Sequence, residues 1–171
     1  MAKKTLFKNI FSKLLEENSR AIGFGPVYHG GGWDGLSPIK IAGRGALGAG
    51  AYFSPIRSVA EKYAREQGGV VIEAFLDISN QLEIRMKSGT FKHPCVDALI
   101  QLGLDPEIAF RKVEKIEENK GYLGKEISTL ALAKGYDALF QYFDGTLKEI
   151  VIWNSNKVLR DVRDLNSRPA S

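Results

Sequence analysis

The chain has 171 residues, 44% apolar and 26% charged, with a net charge of +4. Those proportions describe one folded domain with a real core. They exclude a disordered or fibrous chain, and the single Cys95 excludes a disulfide scaffold or a cysteine metal cluster. No apolar run approaches the roughly 18 residues of a membrane span, and the lysine-bearing N-terminus lacks the apolar stretch and cleavage site of a signal peptide, so a reduced cytoplasm, of the producing cell or of a host, is expected.

In chain order, Leu6, Phe7, Ile10, Phe11, Leu14 and Leu15 carry the spacing of an amphipathic helix over 5–18, an N-terminal extension (1–20) ahead of one domain (21–171). "GFGP" breaks the chain, and Val27 to His29 reads as a short strand that ends at three glycines. Residues 34–48 read as a glycine-rich loop with at most a short helical piece, and "GAYF" as a strand end. Ser54-Pro55 predicts a helix start, with Ile56, Val59, Ala60 and Tyr63 on one face and Gly68-Gly69 as the stop. "VVIEAFLDI" is the strongest strand. Helices follow over 95–103, 106–117 and 124–134. "DALFQYF", the turn "DGT" and "EIVIW" then predict a hairpin. The expected class is α+β, with short strands divided between two small sheets and helices around them.

Charge is concentrated at the ends. Residues 1–20 hold five basic and two acidic side chains, and 156–171 hold four and two, leaving the middle near neutral. Solvated termini account for this pattern, and contact with an acidic partner such as nucleic acid is the alternative.

Three stretches carry candidate chemistry: Tyr28-His29-Gly30, "GAGAYFS" with Tyr63 eleven residues after Tyr52, and Glu149 before "IVIW". Taken singly, each has an ordinary structural reading. His29 would be a packing residue, Tyr52 and Tyr63 core residues, and Glu149 a solvated strand end. The glycines beside His29 add something, because they clear backbone for the approach of a ligand. His93 and Cys95 in "FKHPC" do not amount to a metal site, and no metal is expected.

Together, "YHG", "GAYFS" followed by "AEKYA", "GGVVIEAFLDI" and "EIVIWNSNKV" resemble the motifs of the ADP-ribosyltransferase superfamily. The branch is the His-Tyr-Glu one that includes diphtheria toxin and the poly(ADP-ribose) polymerases. The resemblance runs from about Val27 to Val158 and extends to phage and mobile-element members. It implies the ADP-ribosyltransferase-like fold of two small, mainly antiparallel sheets packed together with peripheral helices. It also implies that NAD⁺ is the substrate, cleaved between nicotinamide and ribose.

In that scheme Glu149 stabilises the positive charge developing on the ribose, as a carboxylate does in glycoside hydrolysis. Tyr52 and Tyr63 sandwich the nicotinamide ring. The backbone of Gly30 pairs with its amide, and His29 anchors the adenosine ribose. Arg44 meets the pyrophosphate or adenine, or else is simply solvated. Two positions depart from patterns found within the superfamily. Ala60 stands where the polymerases have a serine, and Leu147 stands two before Glu149, where arginine-modifying members have Glu or Gln. Leu147 therefore points away from arginine as acceptor, and with no helical regulatory domain in the sequence, transfer of one ADP-ribose is expected, most simply to a protein, by a toxin, effector or phage-encoded factor, with no membrane partner. NAD⁺ hydrolysis, modification of nucleic acid, and a non-catalytic domain that binds ADP-ribose or a partner stand as alternatives.

Overall fold

The computed structural model describes residues 22–33, 39–90, 92–119 and 121–166. The helix expected over 5–18 lies outside them. In chain order the elements are β1 (Ile22–Gly31), β2 (Ala51–Phe53), α1 (Arg57–Gln67), β3 (Val70–Ile78) and β4 (Gln81–Met86). Then come α2 (Pro94–Gln101), α3 (Pro106–Glu118), α4 (Glu126–Ala133), β5 (Ala138–Phe143), β6 (Thr146–Ile152), α5 (Ser155–Val158) and β7 (Leu159–Asp164).

The strands form two sheets, as expected from the short strands read in the sequence. One has the order β1-β3-β7 and the other β2-β6-β5-β4. All pairs are antiparallel except β4 with β5. That parallel pair requires a long crossover, which α2, α3 and α4 supply.

The core divides by strand alternation. Ile72, Ala74, Leu76 and Ile78 of β3 face one way, and Phe53, Ile150, Ile152 and Phe140 of the other sheet face them, forming a dry layer between the sheets. Each of the Ile, Leu and Phe side chains contributes about 1.5–3 kcal/mol through burial. The opposite face of the four-stranded sheet carries Leu82, Ile84, Leu139 and Val151 and is roofed by α2, α3 and α4. Trp33, just past the glycines, packs against the layer between the sheets.

Local signals account for most of the elements. Asp105 accepts from the amides of Glu107 and Ile108, and Pro106 occupies the first helical position, so α3 begins where a capped helix should. Asp144 (φ 47°) and Gly145 (φ 77°) make the tight turn between β5 and β6.

The structure departs from the sequence reading at several points. β1 is ten residues long rather than three, because "GFGP" is absorbed as a register irregularity between Phe24 and Val27. Ser54 does not cap α1. Its backbone pairs with Tyr28, at 2.8 Å in both directions, and its Oγ accepts from the Ile56 amide, so the helix starts at Arg57. β6 starts at Thr146, which places Glu149 inside the strand rather than at its opening. β4 and β7 are additional strands.

Candidate active site

The Tyr28–Ser54 pairing brings the ends of the two sheets together, and a cleft of ≈ 210 Å³ opens there. Its walls are β1, β2, the exposed side of α1 and the segment from Ala42 to Gly50. His29, Gly30, Arg44, Tyr52, Tyr63 and Glu149 all line it, although up to 120 residues separate them in the chain.

β1 supplies His29 and Gly30. His29 donates from Nδ1 to the Tyr52 carbonyl at 2.7 Å, which assigns the proton to Nδ1 and leaves Nε2 as an acceptor. Burial lowers the imidazole pKa, with the Tyr52 hydrogen bond opposing it, so the ring is neutral at physiological pH. Its ring leans against Phe53, with centroids 5.4 Å apart. Gly30 has a packing reason to be glycine. A Cβ there would lie 1.9 Å from the carbonyl oxygen of Ala60, so β1 and α1 touch backbone to backbone. The alanine at 60 serves the same approach, being 2% exposed with Ala64 beside it.

β2 supplies Tyr52. Its hydroxyl accepts from the Leu47 amide at 3.0 Å and donates to the Gly48 carbonyl at 2.5 Å. Burial pushes its pKa well above the ordinary value, so the phenol stays protonated. The ring lies directly beneath Gly45, where a Cβ would come within 2.1 Å of the hydroxyl. Tyr52 therefore pins the loop as well as facing the cleft. The same segment is closed by the Ala42–Gly50 pairing and held by two further bonds, from Cys95 Sγ to the Ala46 carbonyl (2.9 Å) and from the Ala49 amide to the Gly124 carbonyl (2.6 Å). Burial pushes the Cys95 thiol up to about 12, so it serves as a neutral donor.

The apolar stripe expected on α1 is divided between the core and the cleft. Ala60 and Ala64 are the buried residues of that helix, while Val59 and Tyr63 are 37% and 47% exposed and line the cleft with Gln67, one turn further on. Lys40 and Arg44 add two cations at the opposite wall. The sequence reading missed Lys40, Ser54 and Gln67 as lining residues. For Gln67, its i+4 spacing from Tyr63 was the available signal.

Glu149 stands on β6 at the back of the cleft. It has no hydrogen bond or ion pair with any described residue, and burial raises its pKa above the ordinary carboxylate value. Tyr52 feels its charge. A half-enclosed carboxylate without a partner is costly to keep and marks a functional site.

His93 is accounted for structurally. Its Nδ1 accepts from the Cys95 amide at the start of α2, and its Nε2 meets Glu117 at 2.9 Å. Among the described residues no three His, Cys, Asp or Glu side chains are placed to hold a metal ion. No helix among them is long and apolar enough to cross a membrane.

A two-sheet domain with histidine, tyrosine and glutamate converging on one cleft is the architecture of the ADP-ribosyltransferases. The chain belongs to the family described as ADP-ribosyltransferase in polyvalent proteins, whose model matches residues 25–162. No curated protein shows significant similarity. A solved structure, that of an anti-CRISPR protein, is similar at 15% identity and a TM-score of 0.38, over 82% of this chain and 95% of that one. That likeness is too distant to bear on function.

Proposed function

We propose that the protein cleaves NAD⁺ at the bond between nicotinamide and ribose and transfers a single ADP-ribose to a protein acceptor. Family membership supports ADP-ribosyl transfer in general. The observation that carries the finer reading is Glu149, a carboxylate with no partner among the described residues, facing the cleft that also holds Tyr52 and Tyr63.

The residues present suit this substrate. The half-exposed Tyr63 ring, with Val59 beside it, offers a flat apolar wall for the nicotinamide. Nε2 of His29 is an acceptor suited to a ribose hydroxyl. Lys40 and Arg44 provide positive charge for a pyrophosphate. Glu149 stabilises the positive charge that develops as the glycosidic bond lengthens, and its enclosure strengthens that effect. Here the protein acts in the cytoplasm of the producing or the host cell, as a toxin, effector or phage-borne factor. The resemblance to phage and mobile-element members supports that setting.

The test is incubation with radiolabelled NAD⁺ and a bacterial lysate, followed by mass spectrometry of the labelled material. Label on protein as single ADP-ribose units is the expected result. Free ADP-ribose without labelled macromolecule would make the protein an NAD⁺ glycohydrolase. Label removed by nuclease but not by protease would move the acceptor to nucleic acid. NAD⁺ binding with no release of nicotinamide would leave a non-catalytic binding domain.

A further inference from the structure

The register of the four-stranded sheet singles out a residue that the motifs do not contain. On β5, Gln141 is the direct cross-strand partner of Glu149, and the next pair is Tyr142 with Leu147. β6 therefore bulges at Lys148. One extra residue on β6 reverses the facing of everything before it. Leu147 and Tyr142 accordingly pack toward the layer between the sheets. Glu149, Val151 and Tyr52 share the other face, together with Leu139 and Gln141. Leu147 is thus two residues from Glu149 in sequence but on the wrong side of the sheet. Gln141 is eight residues away and on the same side, with Cβ atoms of such a pair about 5 Å apart.

The surroundings of Gln141 are apolar. Its partner on β4 is the fully buried Ile84, and Leu139 precedes it on the same face. Yet Gln141 is half-buried, and its carboxamide has no hydrogen bond to any described residue. Two adjacent polar groups without partners among the described residues, one a carboxylate and one an amide, are set into a row of Ile and Leu. The cleft for NAD⁺ lies on the β2 side of Glu149, and Gln141 lies on the β5 side.

We propose that Gln141 is the acceptor-orienting residue, and that the acceptor approaches Glu149 from the β5 side; this rests on the transferase reading above. The amide offers both a donor and an acceptor, while Glu149 accepts only. The pair suits a neutral nucleophile with an O–H or N–H, such as a side-chain hydroxyl or amide. A guanidinium would find one carboxylate rather than two. In the transfer step the C–N bond to nicotinamide breaks and its electron pair leaves with nicotinamide. The acceptor heteroatom bonds to the ribose carbon, and its proton passes to Glu149.

The test uses Gln141→Leu, which keeps the volume and matches the neighbouring row, so the variant is expected to melt at or above the wild-type temperature. Two rates are measured with labelled NAD⁺: nicotinamide release in buffer alone, and label transferred to protein in a bacterial lysate. The expected result is a fall of roughly tenfold in the ratio of transfer to hydrolysis, the effect of losing one well-placed hydrogen bond. Gln141→Glu, which replaces the amide with a second carboxyl beside Glu149, is expected to lose the wild-type acceptor sites in the mass spectrum. An unchanged ratio, whether both rates hold or both fall together, overturns the assignment of Gln141 alone. A wild-type protein that releases no nicotinamide in either arm overturns the reading of the whole site, and this assignment with it.

Discussion

Along one wall of the cleft, the segment from Ala42 to Gly50 commits backbone polar groups to the protein itself, through the Tyr52 hydroxyl, the Cys95 thiol and the Gly124 carbonyl. Along the other, α1 turns Val59 and Tyr63 outward and buries only alanines. The difference separates two jobs. The bonded wall is held in shape before any ligand arrives, so its ordering cost is met during folding. The α1 wall is an apolar surface that gains by being covered. Glu149, between them, belongs to neither arrangement, since it has no bonding partner among the described residues.

That contrast can be broken from several sides. The largest effect is expected for Glu149→Gln, which should lower kcat by about 10²–10³ while NAD⁺ affinity, measured by calorimetry, stays within about tenfold. Full activity in that variant would remove Glu149 from the mechanism. Gly30→Ala attacks the seating of α1 itself. With the Ala60 carbonyl 1.9 Å from the new methyl, it should cost about 2–3 kcal/mol in chemical denaturation. A variant as stable as the wild type would show that β1 and α1 are not in backbone contact.

The two tyrosines should then diverge. Tyr63→Ala is expected to weaken NAD⁺ binding about tenfold and leave the melting temperature nearly unchanged, since the half-exposed ring faces the cleft rather than the core. Tyr52→Phe should do the reverse. It costs about 1–2 kcal/mol of stability and speeds amide exchange at Leu47, with NAD⁺ affinity within about threefold. Equal behaviour of the two variants would erase the distinction between the walls.

The smallest effect is on pH dependence. The folded pKa of Glu149 is raised, so the folded state holds a proton that the unfolded state has already lost, and stability falls as pH rises through that window. Glu149→Gln should therefore be the more stable protein at pH 7, with the gap closing toward acid. His29 works in the opposite sense. Its lowered pKa means that stability is lost as pH falls from about 6.5 through the folded value. Activity should fall on the acid side with a midpoint above the ordinary carboxylate range of about 4.3, as Glu149 takes up a proton.

Much of this was readable before any coordinates. The apolar run of β3, the Asp105-Pro106 start of α3 and the Asp144-Gly145 turn follow from local rules, which act over a few residues. The site needed the motif resemblance, because nothing local distinguishes a cleft-facing Tyr63 from a core-facing one. Both give the same helical periodicity, and only the close approach permitted by Gly30 and Ala60 decides which side of α1 is covered. β7, with its alternating charges in "LRDVRD", lacks the apolar signal of a strand and forms by pairing with β3. Gln141 was invisible, since its position beside Glu149 depends on one extra residue at Lys148 that no pattern announces.

The pairing of Tyr28 with Ser54 works as a rivet. Two backbone bonds of 2.8 Å, with the His29–Tyr52 bond beside them, join one sheet to the other at the floor of the cleft. Main-chain atoms make that joint or accept at it, so it survives most exchanges of side chain. The interior between the sheets can then drift over generations, one methyl group at a time, while the gauge between His29 on one sheet and Glu149 on the other stays set.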